Sequence, residues 1–140
     1  MASIKNYRED YLLFLEAGFI AVNQADEDAA LKLFRASEML QPDNTLPKVG
    51  FGYLHLHKLE LKQAVRIFEE VLDAEPSNDM AKAFWGICMS MMPNQVDKGE
   101  KILEQTLKSK DPMIKKLAHT AIDFVEKFVK KSPGPAEKGK

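Results

Sequence analysis

The side chains best suited to acid–base, nucleophilic or metal chemistry are three histidines and one cysteine: His55, His57, His119 and Cys88. His55 and His57 are two residues apart. On a helix that separation turns them to different sides, because neighbours on one helical face stand three or four apart. They cannot chelate one ion together, and neither has a Cys or His four residues on. His119 lies among Lys115, Lys116 and Asp123, the pattern of a solvated helix surface. Cys88 sits beside Met89, Met91 and Met92, where a thiol acts as a small hydrophobe. No P-loop, GxGxxG or HExxH motif is present. No catalytic role, no metal and no other cofactor is expected.

Binding is the alternative, and composition bounds it. A chain of 140 residues with 45% hydrophobic content can bury roughly two thirds of its surface around a real core. The net charge of −1 exerts no overall pull towards nucleic acid. Its distribution is uneven: residues 1–107 hold 11 basic and 17 acidic groups, a net of −6, and residues 108–140 hold 9 and 4, a net of +5. One cysteine allows no internal disulfide, which fits a reducing compartment. The N-terminal residues lack the apolar region of a signal peptide. The apolar run from Tyr11 to Val22 is interrupted by Glu16 and Gly18 and is too short to span a bilayer. A cytoplasmic protein without a membrane partner is expected.

The elements that would carry the binding surface repeat at a fixed interval. Gly18, Gly52 and Gly86 stand 34 residues apart, as do Ala30 and Ala64, Phe34 and Phe68, and Pro42 and Pro76. Each position has a mechanical use. The small residue lets a second helix come close, the Ala opens that second helix at the crossing, and the aromatic fills the space between units. The Pro stops the second helix, since it lacks an N–H and restricts the residue before it. In the third unit Lys98 falls where Ala is expected and Ile102 where the aromatic is expected, and the closing proline comes late, at Pro112. Helices are expected over about 8–24, 27–41, 46–58, 61–75, 79–92 and 95–109, with turn and capping residues between them. A seventh begins at Asp111 and Pro112 and runs to 131. Its stripe of Ile114, Leu117, Ala118, Ala121, Ile122, Val125, Phe128 and Val129 would cover the open end of the third unit. Residues 132–140 are expected to be a disordered tail.

A 34-residue period with this order of residues resembles the tetratricopeptide repeat, an antiparallel helix pair per unit. The resemblance implies an all-α, TPR-like solenoid of about three helix-hairpin repeats (11–44, 45–78 and 79–110) plus a C-terminal capping helix, in one domain over 1–131. It also implies that the first helix of each unit lines a concave groove. The groove positions are then Leu12, Leu15, Phe19 and Val22; Leu46, Val49, Tyr53, Leu56 and His57; and Met80, Ala83, Ile87, Ser90 and Met91. Two readings compete for them: packing inside each repeat, or an apolar groove for an amphipathic helix. The first helices are apolar around most of their circumference, which demands a covering element. Tetratricopeptide domains that grip the acidic tail of heat-shock chaperones use Lys and Asn on this face. Here Leu15, Phe19, Val49 and Tyr53 would desolvate a carboxylate without a partner.

The short chain, the apolar first helices and the segment from Leu107 to Leu117 leading into a last amphipathic helix also resemble the small tetratricopeptide-type chaperones of type III secretion. The needle-subunit chaperones are the most similar class. That resemblance implies a protein partner, the needle subunit, held by its C-terminal helix before export, with a small co-chaperone. Chaperones of a translocator or of an export-apparatus component share the build, and an adaptor in a stable assembly is the other reading. A homodimer that occludes its own groove is the partner-free variant.

Overall fold

The computed structural model describes residues 10–131, and among them it is all-α, with seven helices and no strand. Helices α1 (Tyr11–Asn23) and α2 (Glu27–Leu40) form the first hairpin, and α3 (Leu46–His57) and α4 (Leu61–Ala74) the second. The third consists of α5 (Asp79–Ser90) and α6 (Val96–Thr106), followed by α7 (Pro112–Phe124) and a π-helical turn at Val125–Val129. The segment expected to be one helix over 111–131 therefore changes geometry at Phe124. The Lys130 N–H bonds the Val125 carbonyl five residues back at 2.9 Å. The expected tail at 132–140 lies outside the described residues. No helix among the described residues is long and apolar enough to cross a membrane.

Local chemistry explains where helices begin. The side chains of Asp26, Asn78 and Asp111 accept the N–H groups of Ala29, Ala81 and Met113 at 3.1, 3.0 and 2.9 Å. Each satisfies a donor that the first turn leaves unpaired. Within the hairpins the chain reverses through a left-handed residue: Ala25 at φ 59°, Leu59 at φ 60° and Asn94 at φ 65°. Ala25 and Leu59 are 34 residues apart, but Asn94 follows after 35. The third turn holds one extra residue.

The chain divides into two compact units, Met1–Pro76 and Ser77–Lys140. In the first, α1 pairs with α2 and α3 with α4, and α3 also packs on α1 and α2. Close approach depends on glycines facing rings. A Cβ on Gly18 or on Gly50 would fall 2.5 Å from Phe34 Cε1, so this ring is held between α1 and α3. Gly52 stands in the same relation to Phe68. Phe34 and Phe68 are fully buried, as are Ala30 and Ala64.

In the second unit α5 pairs with α6, and α7 packs on both. The extra turn residue moves the register of α6 by one. Gly99, not Lys98, takes the crossing position: a Cβ there would lie 2.4 Å from the Ser90 backbone nitrogen. Leu103 is fully buried against Gly86, with Ile102 beside it. Lys98 is exposed, its ammonium 5.7 Å from the centre of the Trp85 ring. The shift avoids burying an unpaired lysine, which would be costly.

The π-helical turn after α7 is fastened to α6. Val125 is buried, and the Lys130 ammonium donates to the Glu100 carboxylate and, at 3.1 Å, to Glu126. Burial pushes the Glu100 carboxyl above its usual range and Glu126 adds to this, while Lys130 opposes it. Phe128, expected in the buried stripe of the last helix, is instead 62% exposed, and the five-residue turn leaves it beside Phe124 at 5.4 Å.

Candidate functional site

The residues suited to chemistry are scattered. His55 Nδ1 lies 2.8 Å from Glu60, and His57 packs edge-on against the Tyr53 ring at 4.7 Å. His119 is exposed on α7. Cys88 is buried, and burial pushes its thiol up to about 12, so at neutral pH it is no thiolate nucleophile. Among the described residues no group of three or more His, Cys, Asp or Glu is arranged to hold a metal.

The first-helix positions separate into two sets. Leu15, Val22, Val49 and Leu56 are buried, and in the second unit so is Ala83. These side chains pack the interior. Leu12 is 53% exposed, while Phe19, Leu46 and Tyr53 in the first unit and Met80, Ile87 and Met91 in the second are half-buried. The surface offered to a ligand is thus narrower than the full set of positions.

In the first unit that surface is an aromatic row. Phe19 meets Tyr53 at 5.3 Å and Tyr53 meets His57 at 4.7 Å, with Phe34 behind Phe19 at 5.3 Å. The Tyr53 hydroxyl donates to Asn23 Oδ1 at 2.6 Å, which ties α3 to the end of α1. Burial raises the Tyr53 phenol, and Asn23 opposes the rise. On α1, Leu12, Leu13 and Ile20 are exposed as well, and the only charged residue of that helix is Glu16. Such a surface takes apolar side chains and offers hydrogen bonds only at its end.

The second unit presents a different surface. Ile87 and Met91 of α5 face Leu117, Ala121 and Phe124 of α7 and the adjoining Val125 across an apolar cleft of about 280 Å³. Sequence reasoning placed Ile87 and Met91 on a groove but missed Phe124, which lay outside the apolar stripe assigned to α7. Its signal was spacing: Phe124 and Phe128 are four apart, one turn of helix.

No family model, no curated protein and no solved structure matches this chain.

Proposed function

We propose that this protein is a tetratricopeptide-type array that holds an amphipathic helix of a partner protein on the apolar face of its first helices. The observation that carries this reading is the row Phe19–Tyr53–His57, with Leu12 and Ile20 exposed on the same helix as Phe19. These are large apolar groups left open on helices whose own cores are already filled. Contiguous exposed apolar surface of this kind suits a protein contact. Support for the repeat assignment comes from the Gly–Phe packing at Gly18 and Gly52 and from its shifted counterpart at Gly86.

Within that class, the role proposed is a cytoplasmic chaperone that keeps an export substrate from assembling early. This rests on the resemblance to type III secretion chaperones, the needle-subunit class first. Bound to the row, an aggregation-prone helix would have its apolar face covered and would be released intact.

The test is affinity purification from the native cell with wild type and with Leu12→Glu and Tyr53→Glu as baits. Each protein recovered is then remade as a helical peptide and titrated. The expected result is a short helical protein whose peptide binds wild type and loses at least about tenfold in affinity with either variant. Circular dichroism checks that both variants keep their helices. A peptide indifferent to both substitutions removes the aromatic row as the site.

A further inference from the structure

We infer that the cleft between α5 and α7 is a docking site for a partner helix that carries acidic residues along one edge. The inference rests on the proposed function only in that both take an amphipathic helix. Ile87 and Met91 line the cleft, and α7 supplies the opposite wall. No charged side chain lines it. Of its hydroxyls, that of Ser90 is already engaged, donating to the Gly86 carbonyl at 2.7 Å. At about 280 Å³ it falls just below the range of roughly 300–1,000 Å³ typical of small-molecule sites. It has room for a few apolar side chains, and Thr120 alone offers a polar group beside Ser90.

The apolar surface continues beyond the cleft mouth. Met113, Leu117, Ala121, Phe124 and Phe128 follow one another at intervals of four, four, three and four residues, which is one face of a helix. Met113, Phe124 and Phe128 are exposed. At about 1.5 Å per residue this stripe is roughly 22 Å long, enough for three to four turns of a partner. Reading by spaced anchors along an apolar groove is the usual mode for a bound helix.

Charge selects the occupant. Lys116 stands one turn before Thr120 at the cleft, and Lys127 stands one turn after Phe124, both exposed. On α5 the neighbours of Ile87 along the same face are Met80, Ala83 and Phe84, none of them charged. From 112 to 131 five lysines stand against two acidic residues, a net of +3. Asp123 and Glu126 are each paired within their own helix, to Lys127 at 3.2 Å and to Lys130 at 3.1 Å. The excess positive charge beside the stripe thus falls to Lys116 and Lys131, since Lys115 stands on the opposite side of α7. A helix with glutamates beside its apolar face meets this rim favourably, and one with lysines is repelled.

The experiment uses the full chain and two synthetic helical peptides about four turns long. Both carry leucine at i, i+3, i+4 and i+7, one with glutamates along an edge and its twin with lysines. Binding is followed by methyl NMR of the Ile and Met signals. The glutamate peptide should bind about tenfold or more tightly than its twin at low salt, with shifts at Ile87 and Met91. Phe124→Glu should abolish binding, Lys116→Glu with Lys131→Glu should erase the preference, and Leu12→Glu and Tyr53→Glu should bind normally. Failure of both peptides to bind, equal affinities, or shifts that leave Ile87 and Met91 unmoved overturns the inference. So does a dimer in light scattering that Phe124→Glu dissociates, since the occupant is then a second copy. Loss with Tyr53→Glu but not Phe124→Glu removes the cleft and leaves the aromatic row standing; loss with Phe124→Glu alone supports the cleft, and the row is judged separately on the partner recovered with it.

Discussion

In the first unit a glycine on one helix receives a phenyl ring from a neighbouring helix, with Gly18 and Gly50 on Phe34 and Gly52 on Phe68. In the second unit Gly86 receives the branched side chain of Leu103, and Gly99 brings α6 against the backbone of Ser90. The two arrangements differ by a single residue added in one turn, ahead of Asn94, which keeps the left-handed conformation that Ala25 and Leu59 hold in the other turns. Asparagine tolerates that conformation better than most residues. The comparison shows how a repeat survives an insertion. The turn absorbs it, the following helix shifts register, and the residues at the crossing change identity while the close approach is kept.

Removing the filler side chain should have the largest effect in either unit. Phe34→Ala should cost about 3–5 kcal/mol, because a fully buried ring held between two helices leaves a cavity that neither glycine can close. Leu103→Ala should cost about 2–5 kcal/mol, and Ile102→Ala less, since Leu103 is the more deeply buried of the two. Urea unfolding measures each, with the single tryptophan, Trp85, reporting on the second unit. Ile102→Ala costing more than Leu103→Ala would show that α6 keeps the unshifted register.

A sharper test uses the sign of two smaller effects. In an unshifted third repeat Lys98→Ala would restore the repeat's Ala and stabilise, and Gly99→Ala would gain roughly 1 kcal/mol of helix propensity. In the shifted register the signs reverse. Gly99→Ala drives a methyl to 2.4 Å from a backbone nitrogen and should cost about 1–3 kcal/mol or more. Lys98→Ala gives up only the contact with Trp85, about 0.5–1 kcal/mol at an exposed site. Thermal or urea unfolding of the two variants decides between the registers.

Legibility in the sequence followed the strength of each physical signal. The seven helices were readable because Pro42, Pro76 and the caps Asp26, Asn78 and Asp111 each stop or start a helix by a local mechanism. The third hairpin misled because a fixed interval cannot reveal an insertion. Gly86 still lay 34 residues after Gly52, so counting onward put Lys98 and Ile102 where Gly99 and Leu103 belong. A lysine at a core position was the available warning. Among the candidate site residues, sequence placed Leu12, Phe19 and Tyr53 on the same kind of surface as Leu15, Val22 and Val49. Only the structure separates the two sets, because helices that are apolar all round carry no pattern marking which side is covered. From α7 onward the expected stripe contains Leu117, Ala121 and Val125 of the cleft wall and lacks Phe124, which stands at the edge of that stripe next to Asp123.

The terminal turn has no counterpart in the first unit, and pH separates its contribution from the rest. Glu100 is buried, and its carboxyl is raised mainly by that burial, with Lys130 opposing the rise. A raised carboxyl binds its proton more tightly folded than unfolded, so its ionisation works against folding as pH climbs through the folded value. Lys130 offsets this when paired, and its own raised value keeps it charged until well into alkali. In Lys130→Met the offset is lost and the Glu100 carboxyl rises further. The deficit relative to wild type should therefore be largest at neutral pH and shrink as pH falls through that raised value. Glu126, lowered first by Glu100 and then by Lys130, adds a smaller loss of the opposite trend to wild type in acid. Hydrogen exchange of the amides at 125–130, measured at about pH 5 and about pH 8, reads the local effect. Glu100→Gln added to Lys130→Met should remove the pH dependence. A deficit that stays constant with pH would mean that the Lys130 chain holds this turn by packing alone, and that the ion pair with α6 contributes nothing.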